Sequence, residues 1–110
     1  MAPSHDPTKR RMAFVKREQF PPGSAMARAT AGRDVALFNV DGRYHAIDDL
    51  CLRCSASLAA GTLEGASVRC RCGWTYDLAT GEVRGIPRLG IDRYAAILDG
   101  SDVFVTIPEA

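Results

Sequence analysis

Hydrophobic and polar residues alternate over short stretches along most of the chain, and turn-forming residues break the pattern every eight to twelve positions. A period of two is that of a strand with one buried face. The pattern predicts an all-β domain, with strands over residues 12–17, 25–30, 34–40, 43–48, 93–98 and 102–107. Phe20-Pro21-Pro22-Gly23 reads as a loop. Asp41-Gly42 and Asp99-Gly100-Ser101 read as tight hairpin turns, where glycine accepts the positive φ that such turns need. No segment of ten or more residues keeps a helical period, and residues 50–58 have room for one helical turn.

A chain of 110 residues, 46% hydrophobic, suits one domain with its own core. Residues 1–11 are polar and aperiodic and read as a flexible tail, leaving 12–110 as the domain. The net charge of +1 gives no reason to expect a nucleic-acid partner. It is unevenly spread: residues 1–33 carry +5 and the rest −4. The basic start reads as a solvated tail with an exposed strand. An acidic body would suit a small electron carrier that meets a basic partner, although charge alone does not establish one. The longest apolar runs are only four or five residues, as at 35–38, too short to cross a bilayer. The polar start has no signal-peptide pattern. The expected compartment is the cytoplasm, where clustered cysteines more often hold metal than form disulfides.

There are four cysteines, Cys51, Cys54, Cys70 and Cys72, spaced C-x2-C-x15-C-x-C. Two loops, each with a cysteine pair, can bring four sulfurs to one point if a hairpin holds the loops side by side. The segment 61–68, with a turn expected at Glu64-Gly65, supplies that hairpin. Thiolates are soft donors that suit Zn²⁺ or an iron–sulfur cluster. Two disulfides and inert buried thiols are the competing readings.

From residue 34 to 78 the chain resembles the Rieske [2Fe–2S] domain family, and in particular its small soluble ferredoxins and the small subunit of assimilatory nitrite reductase. The resemblance rests on Asp41-Gly42-Arg43-Tyr44, Ala46-Ile47-Asp48, Ala56-Ser57-Leu58, Gly61-Thr62-Leu63-Glu64-Gly65, Val68-Arg69-Cys70 and the stretch from Gly73-Trp74 to Gly81. It implies an antiparallel β sandwich of about ten strands, with a metal-binding loop subdomain at its tip over about 47–83. It also implies electron transfer to an oxygenase or reductase partner.

The chain departs from that family at the ligands. The resemblance implies C-x-H in the first loop and C-x2-H in the second, with two Cys on one iron and two His on the other. Here Cys51 and Cys70 stand in the family positions, but the first His position is Arg53. The second loop is one residue shorter and has Cys72 before Gly73-Trp74. The remaining histidines, His5 and His45, lie in the tail and on a strand. The inferred ligand set is therefore Cys51, Cys54, Cys70 and Cys72, for cofactor and metal alike.

Such a set can hold an all-cysteine [2Fe–2S] cluster, whose potential should lie nearer about −400 mV than the Rieske range of about −150 to +300 mV. It can equally hold one structural Zn²⁺. The protein would then be a non-redox interaction module or accessory subunit. An empty, degenerate site is the third option. Arg53, Arg69 and Arg71 either offset thiolate charge or are plain surface charge. Trp74 and Tyr76 are expected to pack beneath the loops, with a Tyr76 hydroxyl–sulfur bond as the sharper alternative. Pro87 would shield the site from water. No catalytic constellation is visible, so an enzyme acting alone is not expected.

Overall fold

The computed structural model describes residues 9–30 and 32–108. Among them are nine strands: β1 (Lys9–Lys16), β2 (Ala25–Thr30), β3 (Arg33–Val40), β4 (Arg43–Asp48), β5 (Thr62–Glu64), β6 (Ser67–Arg69), β7 (Thr75–Asp77), β8 (Arg93–Asp99) and β9 (Asp102–Pro108). Two single 3-10 turns, Arg17–Gln19 and Leu58–Ala60, are the helical content of these residues. Among the described residues no helix is long and apolar enough to cross a membrane.

Six strands form one antiparallel sheet in the order β1-β9-β8-β4-β3-β2, and β5-β6-β7 form a second. The two ends of the large sheet curl toward each other. The Arg28 guanidinium on β2 donates to the carbonyls of Ala13 and Phe14 on β1, at 2.9 and 3.0 Å. The result is the expected all-β sandwich, nearly closed.

β3 explains the apolar run at 35–38. Both faces of this strand are covered, so alternation disappears. Val35 and Leu37 face a core with Phe14, Ala46, Val103, Val105 and Ile107. Ala36 and Phe38 face the other core, with Ile47, Leu58, Val68, Tyr76 and two cysteines, Cys51 and Cys70. The smaller sheet and the cysteine loops thus share their core with the large sheet.

The turns follow the sequence closely. Asp41 and Gly42 both have positive φ, 52° and 90°, as a two-residue primed turn requires. The β5–β6 turn lies one residue later than expected, at Gly65-Ala66 between the paired Glu64 and Ser67. A correction applies at the start: β1 begins at Lys9, so residues 9–11 belong to a strand and not to the tail. Among the described residues β1 is an edge strand, paired with β9 alone. Its charges can point outward, which hides the strand pattern. Arg11, for example, pairs with Asp99 and lies over the Phe104 ring. Residues 1–8, the rest of the expected tail, lie outside the described residues, and so does His5.

Candidate metal centre

The two cysteine loops are built differently. The first, after β4, is organised by a buried carboxylate. Asp49 is 5% exposed, and its Oδ1 accepts from the Ser57 hydroxyl at 2.8 Å and from the Ala59 N–H at 2.9 Å. Its backbone carbonyl accepts from the Leu58 N–H at 2.6 Å. One residue therefore ties both ends of the loop that carries Cys51 and Cys54. The Cys51 N–H donates to Ala56 O at 2.9 Å and closes the turn. The second loop is the tip of the β6–β7 hairpin. The Cys70 N–H donates to Trp74 O at 2.7 Å, and the Gly73 N–H donates back to Cys70 O at 2.9 Å. Gly73 has φ +98°, a conformation that favours glycine at this tip.

The loops bring all four sulfurs together. The Sγ atoms of Cys51, Cys54, Cys70 and Cys72 lie within 4.8 Å of one another. Cys51 and Cys70 are buried, Cys72 is half-buried and Cys54 is exposed. Contacts between the loops include Cys51 Sγ to Cys72 Sγ at 3.8 Å and Cys54 Sγ to Cys70 Sγ at 3.4 Å. Both exceed a disulfide bond of about 2.05 Å.

Hydrogen-bond donors surround Cys51. The Tyr76 hydroxyl lies 3.3 Å from its sulfur, and the Arg53 N–H donates to the sulfur at 3.4 Å. Burial opposes ionisation of this thiol, yet these donors, with the Cys54 N–H and the Cys70 thiol, outweigh it and bring the thiol down to about 6. Cys70 is the opposite case. Burial pushes it up, and only the Cys72 N–H works clearly against that. Of these two, Cys51 is the readier to meet a metal as thiolate, while Cys70 needs the metal's charge to lose its proton.

Tyr76 combines both expected roles. Its ring is fully buried beneath the loops, and its hydroxyl bonds the sulfur while accepting the Leu52 N–H at 2.9 Å. Burial, then the Cys51 sulfur, holds that phenol protonated well above its usual range. Trp74 is half-buried against the same core. Two of the three arginines have partners of their own. Arg69 is paired with Glu64 at 3.2 Å, and the Arg53 guanidinium lies 5.8 Å above the Trp74 ring. It is the backbone N–H of Arg53 that serves the sulfur. Pro87 is exposed and lines a cleft with Asp77, Thr80, Glu82, Val83, Arg84 and Gly85, to which no cysteine contributes. His45 stands on β4 opposite Phe38, half-buried and outside the sulfur cluster. Burial, helped by Arg43, lowers its pKa.

Asp49 is the residue that sequence reasoning missed. Its signal is faint: an acidic residue before an apolar one, two positions ahead of Cys51, where an Asx side chain can bond the following turn.

The Rieske [2Fe–2S] domain family matches residues 10–95 of the chain. The chain belongs to this family. A 3-phenylpropionate/cinnamic acid dioxygenase ferredoxin subunit from Shigella boydii serotype 4 (strain Sb227) is 37% identical over 93 residues, covering 82% of this chain and 87% of that protein. The protein of the same description from Escherichia coli (strain K12) is 36% identical over the same length and coverage. Among solved structures, the ferredoxin of carbazole 1,9a-dioxygenase from Nocardioides aromaticivorans IC177 superposes with a TM-score of 0.80. It shares 23% identity and covers 90% of this chain and 98% of that one. Among the described residues no histidine joins the sulfur cluster of this Rieske fold. The donor set is four thiols, which suits a thiolate-bound iron centre or zinc.

Proposed function

We propose that this Rieske-family protein is an electron carrier, which takes an electron from a reductase and delivers it to an oxygenase-type acceptor through iron held by Cys51, Cys54, Cys70 and Cys72. The observation that carries this is the convergence of the four sulfurs within 4.8 Å, at the end of a fold shared over most of its length with dioxygenase ferredoxin subunits. The iron would supply a one-electron couple. The chain's own contribution is to hold four thiolates, to direct N–H and O–H donors at Cys51, and to keep two of the sulfurs out of water. Hydrogen bonds and burial of this kind set the potential of such centres.

The partner would approach at the exposed Cys54. Leu50 and Leu52, 45% and 50% exposed, flank Cys51 with apolar surface, and Arg53 and Arg71 rim the same end with positive charge. Such a face favours a partner that is locally acidic, the reverse of what the charge balance of residues 34–110 suggests. We further propose the cytoplasm as its compartment, supported by four unpaired thiols. The protein would pass electrons on and turn over no substrate by itself.

The test is anaerobic purification from iron-replete cells, followed by dithionite. A coloured protein that bleaches and recovers on reoxidation is expected. Colourless protein that stays unchanged would refute the carrier role.

A further inference from the structure

The spacing of the four sulfurs says more than their number. Four thiolates around one ion, each at about 2.3 Å, form a tetrahedron with edges of about 3.8 Å. Two of the sulfur separations here are 3.4 and 3.8 Å, and no pair exceeds 4.8 Å. A two-iron, two-sulfide centre needs something different. Its thiolates divide into pairs, one on each iron, and sulfurs on different irons stand roughly 5.5 Å or more apart because the bridged irons lie between them. All six separations here fall short of that.

The loops account for the contraction. Cys51 and Cys54 lie on a turn in which the N–H groups of Arg53 and Cys54 face back onto the Cys51 sulfur and Ser55 N–H bonds Cys51 O at 3.0 Å. Ser55 takes a left-handed φ of 61° to finish that turn. The second loop is held short by two bonds, Cys70 to Trp74 and Gly73 to Cys70. Each loop presents its sulfurs as one knuckle of a two-knuckle site for one ion.

We propose that Cys51, Cys54, Cys70 and Cys72 form a single tetrahedral thiolate site for one metal ion, and that this chain has exchanged the two-iron centre of its family for a mononuclear one. This rests on the reading that these four cysteines are the metal site. A single iron in it still serves as a one-electron Fe³⁺/Fe²⁺ couple; zinc in it does not.

Two measurements test it. The first is metal and acid-labile sulfide analysis of protein purified without oxygen from iron-replete cells. One iron per chain without sulfide is expected. Two irons with two sulfides per chain would overturn the single-ion site and leave the electron-carrier reading standing. One zinc per chain from the same cells would support the single-ion site and refute the carrier reading. The second is titration of metal-free full-length protein with Co²⁺, followed by the visible bands of tetrahedral cobalt thiolate. Saturation at one cobalt per chain is expected, and saturation at two would overturn the proposal.

Discussion

The Tyr76 hydroxyl lies 3.3 Å from the Cys51 sulfur while accepting the Leu52 N–H at 2.9 Å. Its one proton is thereby directed at the sulfur. A hydrogen bond to an ionised sulfur helps the more negative, reduced form more. Tyr76→Phe should lower the potential of the iron-loaded protein. A bond of about 1 kcal/mol corresponds to roughly 40 mV in a one-electron couple. In metal-free protein the same change should raise the Cys51 pKa from about 6, read as the pH profile of alkylation. An unchanged potential would show that the hydroxyl serves only to hold Leu52.

Asp49 touches no sulfur, yet it should govern metal binding. Its carboxylate fixes Ser57 and Ala59, and so the shape of the loop that carries Cys51 and Cys54. Asp49→Ala should weaken metal affinity by about 10- to 100-fold, the usual cost of losing a ligand's supporting contact. Asp49→Asn, which keeps one acceptor oxygen, should lose less. Competition with a chelator of known affinity measures both.

Removing the metal should loosen one part of the fold more than the other. Cys51 and Cys70 are members of the core that packs the small sheet against β3 and β4, whereas the core of Phe14, Val103, Val105 and Ile107 contains no cysteine. In hydrogen exchange of chelated protein, amides of β5, β6 and β7 should lose protection well before those of β8 and β9. Uniform loss would mean that the two cores unfold as one unit.

Tyr94 gives the fold an alkaline limit. It is buried, donates to Asp48 and accepts from Arg33 at 3.1 Å. Burial, then the Asp48 carboxylate, raises its pKa from 10.0 to about 12. The unfolded chain therefore loses this proton before the folded one does. Stability from this group is fully present below pH 10 and is lost as pH rises through about 12. Tyr94→Phe should flatten the fall in melting temperature across that window, and a parallel fall in both proteins would assign it to other groups.

Much of this was legible in the sequence. The strands expected at 25–30 and 43–48 are β2 and β4 with the same ends, because turn residues such as Asp41-Gly42 bound them in the sequence. The four cysteines announced a site because the spacing of short loops on a hairpin leaves few other arrangements. β1 was cut short because edge-strand charges face water and break the pattern. Asp49 was hidden because its bonds go to backbone and a hydroxyl eight to ten residues on, and a loop of irregular shape leaves no period to read. The separation of the sulfurs was not legible at all. It depends on two turns closing toward each other, and spacing along the chain does not report distance across space.

Electron transfer through a metal held by these four cysteines is open to a direct check. Film voltammetry of the anaerobically purified, iron-loaded protein, with Cys54→Ser alongside, provides it. Cys54 is exposed, so that substitution leaves the core intact. The wild type should give a reversible one-electron wave, and Cys54→Ser should abolish or strongly displace it. No reversible wave from iron-loaded wild type, or the same wave from Cys54→Ser, would contradict the claim.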